Sequence, residues 1–143
     1  MTSKKILSFV SCSLLFLAVA ASAQRTPSPP GAAVYIISPA NGETVPSTFT
    51  VVFGLKGMGV APAGIDLPDT GHHHLLINAK ALPDLNLSMP MTPELLHFGK
   101  GQTEAEITLP KGRHTLQLIL GDKLHIPHDP AVISEKIEII VAD

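Results

Sequence analysis

Histidine is the residue type that sets this sequence apart, with seven copies in 143 residues against a single cysteine. Neutral imidazole is a good ligand for Zn, Cu, Ni and Fe, and the thioether of methionine is a soft ligand that favours Cu(I). Histidine also transfers protons near neutral pH, and it often serves only as a hydrogen-bonded structural residue. The composition therefore raises three hypotheses: a transition-metal site, a proton-transfer or pH-sensing site, and structural histidines.

Three consecutive histidines, His72, His73 and His74, come directly before an apolar run. In a β-strand, side chains two positions apart project to the same face, with their Cα atoms roughly 6.5–7 Å apart. His72 and His74 can therefore bind one ion from one strand while His73 points the other way. His73 shares its face with Leu75 and Ile77, so we expect it to pack at the edge of the core.

Three further histidines could complete such a site. His97 lies in a later connector, and His125 and His128 form a His-x-x-His pair around Pro127. Three histidines with an open position are typical of catalytic zinc, whereas four nitrogens in a plane favour Cu(II). Thioethers from the connector methionines Met58, Met89 and Met91 would favour Cu(I). The predicted ligands are His72, His74, His97, His125 and His128, and the predicted ion is a transition metal, with copper favoured over zinc.

The elements that must position these residues are short strands separated by turn residues. Segments with strand-like alternation or β-rich composition are 34–38, 48–55, 72–79, 104–109, 113–121 and 132–141, and a weak strand is expected within 83–91. Residues 92–97 resemble one helical turn, with Thr92 as N-cap and Pro93 at the first helical position. The pattern predicts an all-β fold, an antiparallel immunoglobulin-like β-sandwich of about seven strands, with a small barrel as the alternative.

The sandwich topology gives the histidines a common location. In an immunoglobulin-like order, the connections that hold six of the seven histidines emerge at the same end. His114 falls at the opposite end, where we expect it to anchor the turn at 110–112. The prediction is therefore that imidazoles from distant stretches of chain meet at one pole of loops.

The beginning of the chain predicts export. Lys4 and Lys5 precede an apolar run, and Ala21-Ser22-Ala23 offers a signal-peptidase site. We therefore predict a signal peptide over 1–23, a flexible Pro-rich leader over 24–32, a sandwich domain over 33–143, and a periplasmic or secreted location. The apolar run is shorter than the ~20 residues that a membrane span needs, and cleavage would remove it. We therefore expect no membrane span in the mature chain. The net charge of −2 and the scattered basic residues argue against a nucleic-acid partner.

Several blocks of the sequence resemble a known family. These are Thr70–Ile77, His97–Glu104, Gly112–Leu118 and Gly121–His128. Over about residues 54 to 140 the chain is similar to the domain-of-unknown-function 4399 family. The resemblance implies an exported bacterial domain, and it supplies no activity, cofactor or catalytic residue.

Three functions follow from these observations. The first is an exported domain that stores, delivers or buffers a metal ion through its histidines. The second is a non-enzymatic interaction module that contacts an envelope protein, with structural or pH-sensing histidines. The third is a metal-dependent hydrolase, which would need an open coordination position and a carboxylate base such as Asp66, Asp69 or Glu94. The sequence favours binding over catalysis.

Overall fold

The computed structural model describes residues 24–142, and every regular element in this range is a β-strand. The fold is all-β, as predicted. The signal-peptide prediction for 1–23 lies outside the described residues, and the described range contains no helix that could cross a membrane. The nine strands in chain order are β1 (Ala33–Ser38), β2 (Thr44–Val45), β3 (Thr48–Lys56), β4 (Gly59–Val60), β5 (Thr70–Ile77), β6 (Leu95–His97), β7 (Glu104–Thr108), β8 (Gly112–Gly121) and β9 (Ile137–Val141).

The strands form two sheets. β1, β3 and β7 make a three-stranded antiparallel sheet with β3 in the centre. In the six-stranded sheet the order is β2-β9-β8-β5-β4, and β6 also pairs with β5. The long strands pair antiparallel, whereas β2 and β4 pair in parallel with β9 and β5. These two short strands are absent from the sequence prediction because two residues leave no alternation to detect, and the immunoglobulin-like label stays a prediction.

The two sheets share one hydrophobic core built from alternating side chains. β3 directs Phe49, Val51 and Phe53 inward, as its alternation predicts. β8 contributes the inner residues Leu116, Leu118 and Leu120 from the opposite sheet. Each fully buried side chain of this kind contributes about 1.5–3 kcal/mol relative to exposure.

The outer face of the six-stranded sheet is also covered. A second, smaller apolar cluster lies there, formed by Leu76, Met89, Leu95 and Ile119. Met89 belongs to the connector between β5 and β6, so this connector folds back over the sheet. Residues 71–77 of β5 are consequently all buried, whichever face their side chains occupy. This double coverage places polar side chains of β5 in the interior.

The prediction of a helical turn over 92–97 is wrong. Residues 93–94 form a turn and 95–97 form β6, which pairs antiparallel with β5 from Leu76 opposite Leu95 to His74 opposite His97. β8 occupies one side of β5, and the backbone N–H and C=O groups on its other side need partners. An extended segment can pair with them, whereas an isolated helical turn cannot. No strand forms within 83–91 of the described chain.

The last strand is shorter than predicted, because it begins at Ile137 instead of Val132. Ser134 interrupts the ladder before that point. Its Oγ accepts the backbone N–H of Leu118 at 2.8 Å, in the position where a strand would offer a carbonyl. The leading part of the predicted strand still contacts β8 through an antiparallel bridge between Ile133 and Ile119, but this bridge is not continuous with β9.

The leader 24–32, predicted to be a flexible tether, is docked on the loop 122–130. Its hydrogen bonds connect Arg25 Nε to the carbonyl of Pro127 (3.0 Å), Thr26 Oγ1 to Asp122 Oδ2 (2.6 Å), and the N–H of Asp129 to the carbonyl of Thr26 (2.9 Å). Arg25 also lies 3.5 Å from the carboxylate of Asp129. The leader thus fixes the loop that holds two of the histidines.

Removing a side chain from the shared core should destabilise the fold. Leu118→Ala, at a residue with no exposed surface, should lower the free energy of unfolding by about 2–5 kcal/mol, because the substitution loses apolar burial and leaves a cavity. Urea denaturation followed by circular dichroism measures this. Leu87→Ala, at a residue 60% exposed, is the control, and equal losses in both variants would contradict the assignment of the core.

Candidate metal centre

The centre begins on β5, where alternation separates the three consecutive histidines. His72 and His74 project to the outer face of the six-stranded sheet, and both are 1% exposed. His73 projects inward, where its ring packs against Phe53 with centroids 5.1 Å apart. The Nδ1–H of His73 is directed at the carbonyl of Gln102 at 3.2 Å. His73 is therefore a core residue, as its face predicts, while the other two are free to act together.

β6 brings the third imidazole. Its antiparallel register places His97 directly opposite His74, and their ring centroids lie 5.1 Å apart. The ring of His97 folds over Gly99: a Cβ at that position would lie 2.3–2.4 Å from the ring atoms Cε1 and Nε2. The absence of a side chain at Gly99 is thus what allows this ring to reach its place.

The fourth imidazole, that of His125, comes from a tight loop organised by Asp122. One carboxylate oxygen of Asp122 accepts the N–H groups of Leu124 and Ile126, at 2.8 and 3.0 Å. The N–H of His125 donates to the carbonyl of Asp122 at 2.9 Å. Within this loop His125 has a φ of 66°, the left-handed conformation that non-glycine residues adopt infrequently. Strain of this kind is typical of functional sites.

The four rings surround a common point. We call His72, His74, His97 and His125 the four-histidine cluster. The six distances between their ring centroids range from 4.6 to 6.0 Å. If the four rings formed a square, two of these distances would be diagonals, about 40% longer than the four sides. The six distances do not divide into two long and four short ones in this way. The rings therefore occupy the corners of an irregular tetrahedron.

The ring nitrogens of three members are close enough to share an ion. One nitrogen each from His72, His74 and His97 lies within 4.8 Å of the other two. Two nitrogens on the same ion are at most about 4.2 Å apart, twice a metal–nitrogen bond of ~2.1 Å. A small rotation of the side chains would therefore bring these three imidazoles into ligand positions.

The buried nitrogens of the cluster lack partners in the described part of the chain. Neither Nδ1 nor Nε2 of His72 and His74, nor Nε2 of His97, has a hydrogen bond of normal geometry. A buried polar group without a partner costs about 1–3 kcal/mol, so structural histidines are normally bonded. This pattern fits lone pairs arranged for a metal ion better than it fits rings that only support the fold.

Burial keeps these imidazoles neutral. It lowers the pKa of His72 to about 4 and the pKa of His74 to about 3, and the neighbouring histidines lower both further. Asp122 opposes this shift at His72, and the backbone of His72 opposes it at His74, each only in part. Burial and His125 also lower the pKa of His97. Protons thus compete for these nitrogens only well below pH 6.5, the value an unperturbed histidine would suggest.

Gly121 is a further residue of the site, and no motif in the sequence points to it. It pairs with His72 at the end of β8. A Cβ at Gly121 would lie 2.7 Å from Cε1 of His74 and 2.9 Å from the methyl carbon of Met89. Gly121 therefore leaves room for a histidine ring, as Gly99 does. This role becomes visible only when β5 is paired with β8, and the register of that pairing cannot be read from the sequence.

Besides His73, two further histidines lie outside the cluster. His128, predicted as a ligand, is completely buried, and its Nε2–H is directed at the carbonyl of Thr70 at 3.2 Å. The structure does not bring its ring among the other four, because this bond directs it elsewhere. His114 donates from Nε2 to the carbonyl of Pro110 at 2.7 Å and accepts from Asn78 at 2.9 Å. It anchors the turn before β8, as expected.

The comparisons with known proteins give a family without a function. The family model described as "Domain of unknown function (DUF4399)" matches residues 51–142, a range that includes all four members of the cluster. No curated protein and no solved structure matches the chain.

The stability of the metal-free protein should fall as the pH is lowered from 7 to 5. The pKa values of His72 and His74 are lower in the folded chain, about 4 and 3, than in the unfolded chain, about 6.5. The unfolded state therefore takes up protons first, and stability that is complete above pH 6.5 is lost progressively towards pH 4. The loss should be at most about 1.4 kcal/mol per pH unit for each ring.

Urea midpoints measured at pH 7, 6 and 5 test this dependence. The double variant His72→Gln/His74→Gln serves as the control, since it removes both titrating rings and should give a clearly shallower slope. A wild-type slope equal to that of the double variant would show that these rings titrate as they do in the unfolded chain.

Proposed function

Because the chain belongs to the DUF4399 family, whose description names no activity, we propose its function from the site itself. The protein binds one transition-metal ion through the four-histidine cluster and stores, delivers or buffers that ion. The observation that carries this proposal is the cluster of four rings, 4.6–6.0 Å apart, with buried nitrogens that lack partners.

The arrangement of the rings bears on the choice of metal. Copper is our favoured ion and zinc the alternative. A tetrahedral set of nitrogens suits Zn(II), and it suits copper in its Cu(I) form better than Cu(II), which prefers four ligands in a plane. The geometry thus favours Cu(I) over Cu(II), but it does not distinguish copper from zinc.

Binding is a better interpretation than catalysis. A metal-dependent hydrolase needs an open coordination position and a carboxylate that activates water. The rings of His72 and His74 are almost completely buried, which leaves little access for a substrate. Among the nearby acids, Asp122 bonds Thr26 and two backbone N–H groups, and Asp66 pairs with Lys123 at 2.5 Å.

We place this function in the periplasm or outside the cell. The support is the beginning of the sequence, in which Lys4 and Lys5, an apolar run and Ala21-Ser22-Ala23 follow the pattern expected of a signal peptide. An exported protein meets the metal ions that enter a cell before the cytoplasm does, which suits a buffering or delivery role.

Metal analysis of the protein, purified without a histidine tag, tests the proposal directly. After loading with Cu(I), Cu(II) or Zn(II) and desalting, the wild-type protein should retain about one ion per chain. His72→Ala/His74→Ala should retain less than about a tenth of that amount, because it removes half of the cluster.

His114→Gln is the matched control, since it removes a histidine that lies outside the cluster. It should retain the metal at the wild-type level. Circular dichroism should show that each variant is folded. A wild-type protein that retains none of the three ions, or a double variant that retains them fully, would overturn the proposal.

Filling the space beneath His97 should weaken metal binding without removing any ligand. In Gly99→Ala the new Cβ would occupy the position of the His97 ring tip, so the ring must swing away. We expect the affinity for the bound ion to fall at least about tenfold, the usual effect of misplacing a ligand. Isothermal titration measures it. Gly59→Ala, whose Cβ would contact only Thr70, should leave the affinity unchanged, and equal affinities in all three proteins would contradict this prediction.

A further inference from the structure

We propose that the fourth ligand position of the centre is shared by two side chains. The thioether of Met89 completes the site for Cu(I), and the imidazole of His125 completes it for Zn(II). His72, His74 and His97 supply the other three positions for either ion. This inference rests on the proposed function and specifies which ions the same site accepts.

The position of Met89 carries the argument. It is 6% exposed and lies on the outer face of the six-stranded sheet, the face that holds the cluster. Its methyl carbon and Cε1 of His74 both lie within 3 Å of the point where Gly121 would have a Cβ. The end of the Met89 side chain is therefore a direct neighbour of a ligand ring.

The backbone of Met89 ties it to the other side of the cluster. Its N–H donates to the carbonyl of His125 at 2.9 Å. Met89 and His125 thus come from different connectors and are held side by side above β5. The nitrogens of His72, His74 and His97 lie within 4.8 Å of one another. The proposal assigns the remaining tetrahedral position to one or the other of these two neighbouring residues.

Met89 differs from the other methionines of the described chain. Met91 is 77% exposed, and Met58 packs against the main core between the sheets. Cys12, the single cysteine of the sequence, lies in the predicted signal peptide. Met89 is therefore the sulfur that the described fold places next to the cluster.

The thioether of Met89 and the imidazole of His125 prefer different ions. Thioether sulfur is soft and binds Cu(I) well, whereas Zn(II) is satisfied by imidazole nitrogen. Both ions accept four ligands in a tetrahedron. Two alternative fourth ligands would let one rigid set of three histidines hold either ion.

Two single variants test the proposal by opposite effects. Met89→Leu keeps an apolar side chain of similar volume in the outer cluster and removes only the sulfur. His125→Asn removes the imidazole and retains a residue type that tolerates a positive φ. Met91→Leu, at the exposed position, is the matched control.

Cu(I) affinity is measured anaerobically by competition with bicinchoninate, and Zn(II) affinity by competition with a chromophoric chelator. Met89→Leu should bind Cu(I) at least about tenfold more weakly and Zn(II) at nearly the wild-type affinity. His125→Asn should show the reverse. X-ray absorption at the copper edge should detect a copper–sulfur path in the Cu(I)-loaded wild type that is lost in Met89→Leu and kept in Met91→Leu.

The outcomes separate this inference from the proposed function. If the wild type binds neither ion, both fail. If the wild type binds Cu(I) but Met89→Leu binds it equally well, or if no copper–sulfur path is detected, the shared position is wrong while the histidine site stands. If Met89→Leu weakens both ions equally, Met89 acts only through packing, and the inference is overturned.

Discussion

The centre depends on β5 being covered on both faces. A strand with one solvated face would expose alternate side chains to water, and His72 and His74 would then be ordinary surface residues. Here the three-stranded sheet covers the inner face and the connector that contains Met89 covers the outer one, while β6 pairs along the edge of β5. The imidazoles of His72 and His74 are thereby removed from water, and their unpartnered nitrogens and lowered pKa values follow from that burial.

The sequence predicted those features that depend on local periodicity. The alternation of His72, His73 and His74, the inward face of β3 and the turn-anchoring role of His114 need only the two-residue repeat of a strand. Membership of the family was likewise recognisable from contiguous blocks of residues. The long strands that form both sheets were identified with small errors at their ends, except the last, of which only the second half, Ile137–Val141, is a strand.

The sequence led us to expect the histidines of the cluster at one pole, but the strand pairing and loop bonds that bring them together were not predictable. His97 reaches the cluster because β6 takes the edge of β5, while the local signals around Thr92 and Pro93 favour a helical turn. His125 and His128 are equivalent by spacing, yet only the loop bonded to Asp122 turns one of them inward, and the carbonyl of Thr70 holds the other. The roles of Gly99 and Gly121 similarly exist only once the rings are in place.

The four imidazoles of the cluster are held with unequal rigidity, and this bears on how an ion would enter and leave. His72 and His74 belong to a central strand bonded on both sides, so they form a fixed base. His97 belongs to a three-residue edge strand and His125 to a strained loop, and both rings are only partly buried. An ion would therefore exchange from their side.

The leader stiffens that side of the centre, since Arg25 and Thr26 fasten the loop that contains His125. The metal-free protein pays for two buried imidazoles without partners, and an ion that binds only the folded state adds stability in proportion to the logarithm of its concentration over its dissociation constant. Metal binding would therefore couple stability and occupancy through the rings of His72 and His74. A bound ion should also reduce the opening of the loop that contains His125. To open, this loop would have to break both the bond between His125 and the ion and its hydrogen bonds to the leader.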